Sequence, residues 1–298
     1  MSKANFFFWS LLLLTLALVP AFGNLSGAVQ NGIAAALILL LGVPHGAIDN
    51  SIYLQKSKQS VLRFFVVYIG VIFINVALWL IFPVFSIVFF LALSAYHFGQ
   101  SQFSEMLALR REVKVLLYLT WGASVLSAFF YFNVRELQEM IASFTDLEVF
   151  MVVFKASIFR WILILSGTMF LILLIGLFIQ KKISLEPMAV ELLIFAGIMC
   201  TAFLLPFLPG FALFFVVIHS YKVLRKEFFH FFSELNGRTI WGFLKKLMPL
   251  TIISYFGIGF LLVCLEMEWI GISLPLLLLI LISSITIPHA YVMERFYA

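Results

Sequence analysis

The chain has 298 residues, 64% of them hydrophobic and 11% charged, with a mean hydropathy of +1.14. A soluble domain is roughly half apolar and a quarter charged, so a water-soluble enzyme and a disordered chain are both excluded. What remains is an all-α, polytopic integral membrane bundle, because backbone polar groups left open in lipid leave helices as the economical solution. The net charge of +5 is accounted for by contact with anionic lipid at one membrane face, and no nucleic-acid partner is needed to explain it.

Charges and Pro/Gly breaks cut the chain into ten apolar segments: 6–22, 32–48, 62–82, 84–98, 115–132, 161–179, 190–208, 211–221, 249–265 and 270–287. Each is close to one membrane span, since a helix crosses the hydrocarbon in roughly 20 residues. The pattern predicts about 8–10 transmembrane helices forming a single domain over residues 1–298. The first segment has the length of a signal peptide, but its exit Pro20-Ala21-Phe22-Gly23 lacks a small-x-small cleavage pattern, so it reads as a retained span. Segments 84–98 and 211–221 are short and follow Pro83 and Pro209-Gly210, which predicts tight hairpins or partial entry into the bilayer. Between the spans, Leu137, Ile141, Phe144 and Leu147 recur at helical spacing, as in an amphipathic connector lying on the membrane. Phe228, Phe229, Phe231 and Phe232 lie among basic residues and read as an interfacial anchor. Cys200 and Cys264 fall inside apolar spans, where a thiol behaves as a small hydrophobe.

Positive charge is retained on the cytoplasmic side, so Lys and Arg fix the orientation. With ten spans and a cytoplasmic amino terminus, all of the 19 basic residues except Arg135, Lys155 and Arg160 fall inside. Both termini are then cytoplasmic, and a multi-pass protein of the inner (cytoplasmic) membrane is expected. In that frame His45, His97, His219 and His289 each lie near the cytoplasmic end of an even-numbered span. One intramembrane histidine is ordinarily a hydrogen-bonded packing residue. Four at one depth in a nearly uncharged chain are better explained as ligands, because neutral imidazoles bind transition metals. His230, in the basic loop, reads as a surface residue.

The neighbours of these histidines support a built site. Asp49 follows His45 by four residues, on one helical face if the turn persists, and is placed to accept the second N–H of a metal-bound imidazole. Pro44 and Pro288 each precede a histidine and leave the carbonyls of Leu40 and Ser284 without their helical partner. Gly46 and Gly99 admit close approach beside them. A histidine-relay transporter would use the same residue type, but with carboxylates inside its spans, whereas the acids here lie at helix ends or in loops. A bis-histidine haem protein would pair histidines across facing helices.

Pro44-His45-Gly46-Ala47-Ile48-Asp49, Tyr96-His97-Phe98-Gly99, His219-Ser220 and Pro288-His289 resemble, in order and over nearly the whole chain, the motifs of the Brp/Blh family of membrane-embedded carotenoid oxygenases. The resemblance implies an iron(II)-dependent dioxygenase that takes β-carotene and O2, cleaves the central double bond and yields retinal, the chromophore of a microbial rhodopsin. It implies that His45, His97 and His219 are metal ligands. Two positions depart from the pattern. Val223 stands where the family often has a second histidine four residues after the third, and amides at Gln100 and Gln102 replace an acid that commonly follows the His-Phe-Gly motif. His289 is therefore the candidate for completing the metal set. A relative that kept the fold as a carotenoid-binding protein and lost the metal is the remaining alternative. The 36 phenylalanines offer flat surface for a polyene tunnel, with no individual ring assigned. No nucleophile in a Gly-x-Ser-x-Gly setting is present.

Overall fold

The computed structural model describes residues 13–15, 17, 18, 20, 25–56, 60–104, 106 and 109–297. Most of segment 6–22, with its predicted span, lies outside the described residues. Among the described residues there are nine helices long and apolar enough to cross a membrane, and no strand. They correspond one for one to the second through tenth segments. The chain is an all-α, multi-pass membrane bundle.

The two segments expected to be short are full-length helices. Pro83–Phe103 runs for 21 residues, because Pro83 opens the first turn, where its missing N–H costs nothing, and because Gly99-Gln100-Ser101-Gln102 continue the helix past the apolar run. Phe207–Phe231 forms one span of 25 residues. Pro209 is tolerated there because it lies in the first turn, where N–H groups have no intrahelical acceptor. Within this span Phe215–Ser220 widens into a π-helix that contains His219.

The chain forms two compact units. The first comprises the described parts of Met1–Leu39 with Ser94–Met140 and Met151–Lys222. Its central element is Arg111–Phe132, buried along most of its length and packed against Ala156–Ile179 and Leu185–Leu204. Small residues allow this packing, as expected where lipid provides no hydrophobic drive between helices. A side chain at Gly122 would overlap the Ala95 backbone, and one at Gly99 would overlap the Tyr118 backbone, so the stretch bearing His97 lies backbone against backbone on its neighbour. Trp121, Phe129, Phe170 and Phe214 fill the core around them.

The second unit comprises Leu40–Leu93, Ile141–Phe150 and Val223–Ala298. Leu274–Tyr297 packs on Val61–Ile81 and on Asp49–Lys56. The first of these contacts is clamped by Asn75 Nδ2, which donates to Ser283 Oγ at 3.0 Å and Ser284 Oγ at 2.9 Å, and by Trp79 Nε1, which donates to Ser283 Oγ at 2.8 Å. An apolar core joins Ile48, Ile52, Phe64, Phe228, Phe243 and Val292. Phe228 is thus a core residue and departs from the expected interfacial anchor, whereas Phe229 is exposed with Arg225 over its ring at 5.5 Å.

The predicted amphipathic connector is present as the helix Val134–Ala142 followed by the 3₁₀ turn Thr145–Val152. Its apolar stripe does not lie on the bilayer, because Leu137, Ile141 and Leu147 are buried by protein.

Replacing Gly122 by Val should abolish the helix contact and destabilise the protein by about 3 kcal/mol or more, since the backbone it meets cannot yield as a side chain does. Gly70→Ala, which meets open space, should leave thermal unfolding of the detergent-purified protein within about 0.5 kcal/mol of wild type.

Candidate metal centre

Each unit brings two of the four histidines together. In the first, His97 and His219 are both 1% exposed, and their rings meet edge to face with centroids 5.0 Å apart and planes at 76°. Ser101, one helical turn after His97, donates its hydroxyl to the Phe98 carbonyl at 2.8 Å. Toward His219 Nδ1, 3.0 Å away, the same oxygen is therefore the acceptor. His219 carries its proton on Nδ1, and its lone pair is on Nε2. The π turn explains why a buried imidazole can sit here at all: π-bulges re-aim side chains and are frequent at functional sites.

In the second unit His45 and His289 meet in the same edge-to-face manner, with centroids 4.8 Å apart and planes at 82°. The Asp49 carboxylate accepts from His289 Nδ1 at 2.9 Å and from the Tyr68 hydroxyl at 3.3 Å. Asp49 therefore belongs to His289, although it lies nearer in sequence to His45. A turn closed by Ala47 N donating to Pro44 O at 3.0 Å separates the helix Gly27–Gly46 from Asp49–Lys56, so Asp49 opens a new helix after the one that carries His45. Gly46 lies under the His289 ring, with room for close contact. Pro44 acts as expected on Leu40, whose carbonyl accepts from the Tyr255 hydroxyl at a long 3.5 Å.

The donor set suits a divalent transition metal. Each unit offers two buried imidazoles, and in each pair one ring has an oxygen acceptor on Nδ1 that leaves Nε2 as its basic nitrogen. His230 stands apart from both pairs, exposed and hydrogen-bonded through Nε2 to Gln55 Oε1 at 2.8 Å.

Three residues with a part in the site were not singled out for it by the sequence. Ser101 carried a signal, being four residues beyond His97. Tyr68 begins a polar stripe with Asn75 and Trp79 along an otherwise apolar helix. Glu227 is fully buried, lies within electrostatic range of Asp49, and has no hydrogen-bond partner among the described residues. Val223, one turn before it, is also fully buried.

A model of the family described as β-carotene 15,15′-dioxygenase matches the chain over residues 36–297. Neither a curated protein nor a solved structure matches it. The matched stretch contains all four histidines and Asp49.

A buried carboxyl without a partner costs stability, so Glu227→Met should stabilise the purified protein by about 1–3 kcal/mol in thermal or denaturant unfolding. A loss of stability would show instead that the carboxylate holds a bound ligand.

Proposed function

The chain belongs to the β-carotene 15,15′-dioxygenase family, and on that premise we propose that it cleaves the central double bond of β-carotene with dioxygen, giving two molecules of retinal. We assign the metal ligands to His45, His97, His219 and His289, holding ferrous iron, with the whole chain acting as one domain. The observation that carries this reading is the pair of buried imidazole couples, each with one ring anchored through Nδ1. When bound, the iron supplies a place to activate dioxygen beside the scissile bond. The stoichiometry is balanced, with one atom of O2 ending in each aldehyde, so neither a protein nucleophile nor an external reductant is required.

The chain's own residues orient and enclose. Ser101 and Asp49 hold the His219 and His289 rings so that Nε2 is the ligating atom, and Tyr68 keeps Asp49 turned toward His289. The apolar packing around the pairs excludes water from the reacting centre. A site among membrane helices also suits a substrate dissolved in lipid, which arrives laterally without crossing water. His289 supplies the imidazole that Val223 does not. Retinal released into the bilayer would serve a microbial rhodopsin in the same inner membrane.

In orientation, both termini and all four histidines belong to the cytoplasmic side, a reading supported by the distribution of Lys and Arg. Reporter fusions after Asn50, Gln100 and Arg225 should read cytoplasmic, and one at Asp146 should read external. Inverted readings at two of these points would defeat the shared depth of the histidines.

Cells that accumulate β-carotene should bleach and form retinal when the chain is expressed aerobically with iron. Persistent colour with the protein present in the membrane would count against this substrate. Replacing any one of the four histidines by Ala should collapse the iron content of the purified protein, because a lost ligand costs several kcal/mol in a closed site, whereas His230→Ala should leave iron and product near wild type. Asp49→Asn and Ser101→Ala should each weaken iron binding by about 10- to 100-fold. Full iron and activity in His289→Ala would reduce the set to three histidines, and Val223→His should then tighten iron binding.

A further inference from the structure

Most ring pairs of the first unit meet edge to face or at a tilt: Phe98 meets Phe214 at 85° and Phe129 meets Phe211 at 86°. One column does not. Phe207 and Phe211 are near parallel at 14°, Phe211 and Phe215 at 22°, and Phe215 and His219 at 31°. At the far end Phe130 continues the series, stacked on Phe207 at 23° with centroids 5.5 Å apart. The three phenylalanines of the helix are only half-buried, so part of each ring remains open along this face, and the strip carries no charged residue.

The π turn keeps the column straight. In an α-helix, residues four apart overshoot a full turn by about 40°, so three such steps would carry His219 well round the helix from Phe207. The wider turn at Phe215–Ser220 makes its four-residue step fall short of a revolution and swings His219 back into line. The result is an aromatic wall of near-parallel rings ending on a buried imidazole. From Phe207 to His219 it is about 18 Å long at 1.5 Å per residue.

Resting on the carotenoid reading above, we propose that Phe207, Phe211 and Phe215 form the docking wall for one arm of a carotenoid, with His219 at its inner end. A conjugated polyene is rigid and apolar, and a run of near-parallel, half-buried rings offers it continuous dispersion contact along the helix. The wall has the length of half a forty-carbon, all-trans chain. An arm seated from Phe207 inward therefore delivers the middle of the molecule to the histidines, and the distance along this helix selects the central bond.

The test uses the full chain in lipid nanodiscs, stripped of metal so that no ligand is consumed, titrated with β-carotene and followed by the shift of the carotenoid absorption band. Phe211→Leu and Phe215→Leu, which keep an apolar side chain and lose the ring plane, should each weaken binding roughly threefold to tenfold while iron uptake on reloading is unchanged. Phe85→Leu, in the exposed stacked pair with Phe89, should have no effect. In iron-loaded protein, Phe207→Trp should shorten the seat and shift preference from β-carotene to shorter apocarotenals. Equal affinities for wild type and both column variants, or an unaltered length preference in Phe207→Trp, would overturn the docking wall and leave the dioxygenase reading intact. A wild-type chain that neither binds nor cleaves any carotenoid would overturn both.

Discussion

Lipid offers no water to a polar atom, so a chain that places imidazoles inside a bilayer must itself supply a partner for each ring N–H. Asp49 does so for His289, and Ser101 does so for His219. The consequences extend beyond pairing. A neutral imidazole with Nδ1–H engaged has one remaining basic nitrogen, so the satisfaction of a buried donor also leaves Nε2 as the donor atom of the ring. Asp49 in turn must be held, and the Tyr68 hydroxyl on its second oxygen does that from the Val61–Ile81 helix. The Asn75 and Trp79 clamp on Ser283 and Ser284 then fixes the helix that carries His289 relative to the one that carries Tyr68. Polar groups here specify register, where apolar contact between lipid-facing helices would leave it free to slide.

In the first unit the same constraint is met by close approach. Gly99 and Gly122 bring the His97 helix against Arg111–Phe132 at backbone distance, which leaves little freedom for the turn carrying His97 and Ser101. The π segment sets the other ring of the pair. A π-helix has poorer hydrogen-bond geometry than an α-helix and persists where surrounding packing determines it, as the buried Ile218, His219 and Ser220 do here.

The helical spans and their order were legible because hydropathy over about 20 residues is the strongest signal a membrane chain carries. The same rule misjudged the ends of 84–98 and 211–221, since it stops at polar residues and Pro/Gly, whereas the first helix continues through Gln100-Ser101-Gln102 and the second starts at Phe207 and continues past Lys222. Gln100, Ser101 and Gln102 are buried by protein and Lys222 is half-buried, which hydropathy does not register. The histidines and Asp49 were legible as chemistry, but their pairing was not. Asp49 lies one turn from His45 in sequence, and only the break after Gly46 sends it to His289. Phe228 looked interfacial from its basic neighbours and became core because its helix continues inward against Phe243 and Phe64. The π turn left no mark in composition or periodicity.

The amides after His-Phe-Gly show how a motif can change while its electrostatics are carried elsewhere. Gln102 Nε2 donates to Glu191 Oε2 at 2.6 Å, and Lys222 Nζ donates to the Gln102 carbonyl at 2.7 Å. The carboxylate that the His97 helix does not carry is thus presented by Leu185–Leu204, and a cation from the His219 helix closes the same network. Gln102 joins the two charges without being charged, which avoids placing a second acid beside Glu191. Lys222 follows His219 by three residues, so this network also ties down the end of the π turn. A substitution that reads as a loss along the sequence is, in the folded unit, a redistribution of charge around the helix end that carries His219.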